Sequence, residues 1–244
     1  MARILITGSA DGLGQLTAKS LAGQGHQVVL HARNAERGRH AKQNVSGAAH
    51  VISADLSDIA ETKNAADEAN AWGPFDAVIH NAGVYDAPRE VVFTVNAIAP
   101  YILTCLMQKP RRLIYLSSGL HLQGRANLGN FKIHGGRASY SDSKLYVMML
   151  CLAVARQWRD VCSNAVDPGW VPTKMGGPGA PDDLQKGYET QTWLAVSNAD
   201  KAKVSGRYFH HLTERPYNPQ AGDVKLQERF LSLCREITGV PFPD

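Results

Sequence analysis

The 244-residue chain predicts an α/β fold: one domain on a doubly wound parallel sheet of about seven strands, with helices on both faces. Three observations carry that expectation. Short apolar runs alternate with helical patterns along nearly the whole sequence. The strand candidates are continuous apolar runs rather than in-out alternations, as strands covered on both faces are. The first of them opens at once into a glycine-rich turn and a helix.

Residues 3–7 form the first strand candidate. A helical pattern follows through Leu13, Leu16, Ala18, Leu21 and Ala22, and Gly25 ends it. Residues 28–30 begin a second strand. The alternation then continues with a helix over 35–44, a strand over 50–53, a helix over 59–72 and a strand over 76–80. A helix over 89–108 precedes the strand 113–116, and a long helix over 139–158 precedes the strand 163–166. The last strand candidate is 206–210. A closing helix over 223–237 carries Val224, Leu226, Phe230, Leu233 and Ile237 at helical spacing, a pattern of core positions.

Hydrophobic content of 44% and charged content of 20% describe an ordinary globular chain, without repeats or low-complexity stretches. Apolar runs such as 146–155 are too short to cross a bilayer, and Met1 leads directly into a strand, so neither a membrane partner nor a secretory signal is expected. Cys105, Cys151, Cys162 and Cys234 form no Cys-x-x-Cys and read as reduced thiols of a cytoplasmic protein. The net charge of +4 is spread out except for Arg33, Arg37, Arg39, His40 and Lys42. That cluster reads as a nucleic-acid patch, a solvated helix face or a phosphate site. Without interleaved aromatics the first is the weakest reading, and no nucleic-acid partner is expected.

In open α/β sheets ligands bind beyond the carboxyl ends of the strands. The first strand ends in Thr7-Gly8-Ser9-Ala10-Asp11-Gly12-Leu13-Gly14. Glycines at a strand-to-helix turn let the backbone approach a pyrophosphate, and the helix N-terminus attracts its charge. The Gly-x-x-x-Gly-x-Gly spacing departs from the common dinucleotide fingerprint, and tight strand–helix packing is the plain alternative. The second strand ends in His31-Ala32-Arg33-Asn34, with no acid to hold a ribose diol. Arg33, with Arg37 one turn on and Ser9 assisting, reads as recognition of the 2′-phosphate of NADP; a surface arginine is the alternative. Tyr140 and Lys144, four apart on one helix face, bring an ammonium toward a phenol and would lower its pKa; alone they also read as a solvated face.

The set Thr7-Gly8-x-x-x-Gly12-x-Gly14, Asp55-Leu56, His80-Asn81-Ala82-Gly83, Asn96, Ser117-Ser118, Tyr140-x-x-x-Lys144 and Asp167-Pro168-Gly169 resembles the short-chain dehydrogenase/reductase family over essentially the whole chain. The stretches 116–121 and 140–145 and the basic Arg33 are most similar to its retinol-dehydrogenase-like branch. The resemblance implies a single Rossmann domain over 1–244 and an oxidoreductase that interconverts a ketone or aldehyde and an alcohol. NADP(H) is the preferred cofactor, and NAD(H) is also admitted.

The resemblance also implies roles. Gly8, Ser9, Gly12, Leu13 and Gly14 would form the phosphate turn, Asp55 and Leu56 would meet the adenine, and Asn81, Ala82 and Gly83 would line the cofactor's middle. Pro168, Gly169 and Val171 would lie against the nicotinamide, and Thr173 would bond its carboxamide or the phosphates. Ser118 would donate to the substrate oxygen, Tyr140 would exchange its proton, Lys144 would hold the ribose and lower the tyrosine pKa, and Asn96 would anchor a water. His80 stands where the family more often has Asn.

Strand alternation leaves Ser117 as a rival to Ser118. Residues 119–136 form an insertion whose His121 and His134, like His210 and His211, read as exposed loop histidines rather than metal ligands. Residues 170–198 read as a substrate lid. Within it Trp170, Met175, Tyr188 and Trp193 form either an apolar wall or the packing of a short helix. The expected partner is a small molecule, a non-ionic, medium-sized carbonyl or alcohol compound. Family members pair through two long helices, here 89–108 and 139–158, which implies a homodimer or homotetramer. Outside the leading reading stand a catalytically silent NADP(H) sensor or scaffold and, ranked last, a sugar-nucleotide epimerase or dehydratase.

Overall fold

The computed structural model describes residues 1–128 and 138–243, so His134 lies outside the described residues. Strands β1 (Arg3–Ile6), β2 (Gln27–Ala32), β3 (His50–Ser53), β4 (Ala77–His80), β5 (Arg112–Leu116), β6 (Cys162–Asp167) and β7 (Arg207–His210) run parallel. The two-residue strand β8 (Thr213–Glu214) turns back antiparallel on β7. The spatial order is β3-β2-β1-β4-β5-β6-β7-β8. Chain order reverses at β1, which lies between β2 and β4, and this switch point opens a crevice beyond the strand ends.

Helices α1 (Gly12–Gly23), α2 (Ala35–Asn44), α3 (Ile59–Trp72), α4 (Arg89–Phe93), α5 (Ala99–Leu106), α6 (Tyr140–Gln157), α7 (Leu184–Val196), α8 (Pro219–Gly222) and α9 (Val224–Thr238) cover both faces. Strand alternation divides the apolar runs between two cores. Leu5, Val29, Val78, Leu113 and Tyr115 face the core shared with α3, α5, α6 and α9. Ile4, Ile6, Leu30, Ile79, Ile114 and Val166 face the one shared with α1, α2 and α7. Helices α2, α3, α7 and α9 start on the side chains of Asn34, Asp58, Asp183 and Asp223, which accept first-turn amides. Helix α1 differs, because Asp11 at its N-cap makes no such bond.

The helix expected over 89–108 is interrupted. A π-helical turn, Thr94–Ile98, separates α4 from α5. Pro100 lacks the N–H that would continue the α-helical ladder to the Asn96 carbonyl, and such one-turn π segments relieve that break. By length and composition the stretch 89–106 could cross a bilayer, but 67% of it is buried inside the protein, as in a core helix.

Helix α6 has no exposed residue from Ser143 to Val154. The sheet covers one flank, and α9 covers another: Phe230 stacks on Tyr146 with ring centroids 5.4 Å apart, and Arg156 pairs with Glu228. The Tyr101 hydroxyl donates to the Val240 carbonyl at 2.7 Å, which ties the C-terminal segment to α5. These residues of α6 therefore present no free face to a second copy of the chain.

The stretch expected as a lid contains α7, whose Leu194 and Ala195 belong to the core and whose Trp193 meets Phe209 edge-on at 5.7 Å. Trp193 is thus helix packing, whereas Trp170 and Met175 are exposed.

Candidate active site

Two chain segments meet at the carboxyl end of β1. Gly8 has φ +63°, and a Cβ there would lie 2.8 Å from the Ala82 Cα; one on Gly14 would lie 2.4 Å from the Gly8 carbonyl oxygen and 2.5 Å from Asn81 Nδ2. Both contacts are too close for any side chain, so the turn closes only with glycine. The Asn81 amide donates to the Thr7 and Gly8 carbonyls at 2.9 and 3.0 Å, and the Ala82 amide donates to the Thr7 hydroxyl at 3.0 Å. These bonds staple the end of β4 to the turn after β1.

A cleft of about 400 Å³ runs over this turn. Its lining includes Gly8, Gly12, Leu13, Gly14, Arg33, Asp55, Leu56, Asn81, Ala82, Gly83, Tyr140, Lys144, Pro168 and Thr173. Asp11 turns its carboxylate to Arg37 at 2.6 Å instead of capping α1, so the first turn of α1 meets the cleft without a side-chain cap. Bare helix-terminal amides beside a close-packed glycine turn suit a pyrophosphate.

At the far end Arg33 is exposed, and its charge acts on Asp55. Burial pushes the Asp55 carboxyl up, but the Ser57 hydroxyl and amide, with Arg33 and His31, outweigh it and hold the pKa below the usual carboxylate range.

Tyr140 stands at the other end because of a capping box. Ser139 Oγ accepts from the Asp142 amide at 3.1 Å, and the Asp142 carboxylate accepts from the Ser139 amide at 2.9 Å. Helix α6 therefore starts at Tyr140, with Lys144 one turn on. The Ser118 hydroxyl lies near enough to the Tyr140 phenol to favour its ionised form, and it accepts the Leu120 amide at 3.2 Å. Lys144 is buried; its Nζ donates to the Leu116 carbonyl at 2.8 Å and lies 5.5 Å from the Tyr140 ring centroid.

The pKa pattern corrects the expectation that the ammonium lowers the tyrosine pKa. Burial pushes Tyr140 up to about 12, with the Ser118 hydroxyl pulling down and Asp167 and Tyr85 pushing up. Burial brings Lys144 down to about 8 against the opposing pull of Asp167. Desolvation outweighs the pairing because Lys144 points to a backbone carbonyl rather than to the phenol.

Tyr140 also lines a second cavity of about 500 Å³, with Tyr85, Arg89, Val92, Leu120 and Gln123 among its walls. The Tyr85 ring meets the Tyr140 ring edge-on at 4.8 Å.

Five expected residues lie elsewhere than on the cleft wall or take part differently. Ser9 is buried; its hydroxyl donates to the Ile6 carbonyl and accepts from the His31 amide, so it does not reach a 2′-phosphate. Asn96, in the π turn, accepts from the Val84 amide and donates to the Val84 carbonyl and Ser143 Oγ, which locks the loop after β4 to α6. Val171 is buried against Gly187. Gly169, with φ +81°, leaves room for Asp182, whose carboxylate accepts the Trp170 amide at 2.6 Å. Ser118 is half-buried and does not line the cleft, but it acts on Tyr140. Its rival Ser117 lines the cleft but is buried and donates to the Lys144 carbonyl at 3.0 Å, which leaves Ser118 as the serine that acts on the phenol.

Other residues, to which the sequence assigned no role, shape the site. Asp167 accepts the Gly169 amide at 2.9 Å, hydrogen-bonds Tyr208 and acts on both Tyr140 and Lys144. His121 is fully buried, not an exposed loop residue: it bonds the Ser118 carbonyl at 2.7 Å, and its Nε2 accepts the Asn218 amide at 3.2 Å. His210 and His211 stack at 3.8 Å, and His210 faces Asp167. No group of three or more metal-ligating side chains forms among the described residues.

A family model for short chain dehydrogenase matches residues 2–183. The chain belongs to that family. Its relatives include an uncharacterized oxidoreductase, AN7799, of Emericella nidulans, 46% identical over 257 residues and covering 100% of this chain and 99% of the relative. Human retinol dehydrogenase 13 is 27% identical, over 98% of this chain and 85% of its own length. A blue fluorescent protein from a metagenomic library, solved in complex with NADPH, shares the fold with a TM-score of 0.71 at 20% identity, over 85% of this chain and 95% of that one. This short-chain dehydrogenase is therefore an oxidoreductase on a fold that binds a nicotinamide cofactor, and the cleft over the glycine turn has the cradle such a group requires.

Proposed function

We propose that this short-chain dehydrogenase uses NADP(H) to interconvert a ketone or aldehyde and an alcohol, with Tyr140 as general acid and base. The observation that carries the reading is the position of Tyr140, one turn from Lys144 where the dinucleotide cleft meets a second cavity. A nicotinamide bound in the cleft supplies or takes up the hydride.

The protein's own groups do the rest. Ser118 donates to the substrate oxygen and so stabilises charge developing there. Tyr140, protonated across the neutral range because its pKa stands at about 12, delivers a proton to that oxygen in reduction and recovers one in oxidation. Lys144, charged below about pH 8, offsets negative charge on the phenol oxygen as the proton leaves. Asp167, whose charge acts on both, supports the lysine's charge and opposes tyrosinate at rest. Exposed Arg33, just after β2 and with no acid beside it on the strand, favours the 2′-phosphate of NADP.

The substrate is a non-ionic carbonyl or alcohol compound of medium size, held in the second cavity. We assign the lid to residues 170–183, which carry exposed Trp170 and Met175, because α7 beyond them is part of the core. The free thiols among the described residues suit the cytoplasm.

The test is Tyr140→Phe, assayed for carbonyl-dependent NADPH oxidation and, by calorimetry, for NADPH binding. Turnover should fall at least about a thousandfold with the dissociation constant nearly unchanged. Wild-type turnover in that variant would reject Tyr140 as the acid. NADPH binding by the wild-type protein without turnover on any carbonyl would instead mark a silent sensor.

A further inference from the structure

His31 lines the cofactor cleft although only 5% of its surface is exposed. Among the buried histidines His31, His80 and His121, it alone borders that cleft. Its ring lies between two backbone groups from different turns. The Gly8 amide donates to Nδ1 at 3.0 Å, and Nε2 lies 3.0 Å from the Ala54 carbonyl oxygen. An amide N–H can only donate and a carbonyl can only accept, so these partners select the neutral imidazole with its proton on Nε2. Burial keeps the ring neutral, with its pKa down to about 4.

The backbone of His31 adds two more ties. The Ser9 amide donates to the His31 carbonyl at 3.0 Å, and the His31 amide donates to Ser9 Oγ at 2.9 Å. The imidazole thus bridges the glycine turn after β1 and the 54–56 turn after β3, the two edges that border the adenosine end of the cleft.

We propose that His31 is a positioning residue for the cofactor, whose imidazole fixes the Gly8 amide and the Ala54 carbonyl in one geometry and thereby sets nucleotide affinity rather than turnover. The proposal rests on the nicotinamide-cofactor reading of the cleft. Gly8 sits in the left-handed region with no side chain of its own, so a hydrogen bond from a neighbouring strand is what holds its amide in register. Phenylalanine at position 31 would keep the ring volume and remove both bonds. Glutamine would keep one acceptor and one donor.

Calorimetric titration with NADPH and, separately, NADH tests this. His31→Phe should raise both dissociation constants by about tenfold or more, because the half-buried Gly8 amide is left unpaired, with turnover at saturating cofactor within about twofold of wild type. His31→Gln should stay within about threefold of wild type in affinity. Wild-type affinity in a folded His31→Phe overturns the proposal, and so does a Gln variant as weak as the Phe variant. Should His31→Phe not fold, the ¹⁵N spectrum of the wild-type histidine rings decides. The Nε2–H tautomer is expected at neutral pH, and an Nδ1–H tautomer or an imidazolium overturns the proposal. Failure of the wild-type protein to bind either nucleotide would count against the cofactor reading itself, a result distinguishable from all of these.

Discussion

At one end of the cleft, Gly8, Asn81 and His31 hold a backbone turn with neutral groups paired to carbonyls or amides, and Gly14 leaves it the room to close. At the other end Tyr140, Lys144 and Asp167 are ionisable groups withdrawn from water, and Tyr140 and Lys144 stand well away from their ordinary pKa values. The first end is a shape held by sterics and hydrogen bonds. The second stores electrostatic free energy, because desolvated charge is unfavourable until a reaction uses it. Substitutions should therefore fail differently at the two ends: binding is lost at the first, chemistry at the second.

The strongest contrast comes from Tyr140→Phe, where loss of turnover without loss of NADPH binding would keep the two ends separate. Gly14→Ala is its mirror image. The added carbon has no room between the Gly8 carbonyl and the Asn81 amide, so the turn must open. NADPH affinity should fall about a hundredfold and thermal stability with it, since overpacking of this kind costs about 1–3 kcal/mol. Unchanged calorimetric affinity in that variant would remove the steric account of the turn.

Arg33→Ala sharpens the comparison within the binding end. Loss of one charge-assisted contact to a phosphate should reduce the ratio of NADP to NAD affinity about tenfold, and an unaltered ratio would reject Arg33 as the phosphate contact. At the chemical end Lys144→Met should abolish turnover yet stabilise the fold, by about 1–3 kcal/mol or a rise of a few degrees in Tm. The sign follows from linkage. The folded lysine titrates at about 8 against 10.5 when unfolded, so the unfolded chain binds more protons between those values and wild-type stability rises with pH there. The difference between wild type and Lys144→Met should shrink across the same window, measured by urea unfolding at each pH.

The last effect concerns buried neutral imidazoles. His31 is held at about 4 and His80 at about 3, both below the ordinary 6.5. Their contribution is present above pH 6.5 and is lost as pH falls toward 4, with a slope of up to about 1.4 kcal/mol per pH unit for each. Acid unfolding of His80→Asn should be shallower than wild type over that range, and an identical curve would show that His80 does not set the acid limit.

Much of this was legible before the structure. The bounds of α2, β3 and α3 match the sequence expectation because each is a short unit with its own cap or apolar run, as at Asn34 and Asp58. The glycine turn and the Tyr140–Lys144 pair were legible because glycine identity and four-residue spacing show in the sequence, although the residues the turn packs against, Asn81 and Ala82, lie far along the chain. Misreadings fell where a distant partner decides. The 89–108 helix is the exception, since it breaks at a π turn with a local cause, Pro100, and only the Asn96 bonds to Val84 and Ser143 reach beyond it. His121 looked like a loop residue because its partner Asn218 lies 97 residues away. Ser9 looked like a phosphate ligand, but the amide of His31 claims its hydroxyl.

By itself, then, the sequence determined the fold, the glycine turn, the absence of an acid beside Arg33 and the helix that carries Tyr140 and Lys144, since periodicity, steric freedom and four-residue spacing are local properties. Tertiary structure alone decided that Ser118 rather than Ser117 acts on the phenol, that Lys144 turns to Leu116, that the charge of Asp167 acts on both Tyr140 and Lys144 and that His31 bridges two turns. The reason is physical. Desolvation and hydrogen-bond partnership depend on what surrounds a group in space, and those neighbours come from strands brought together only when the sheet closes.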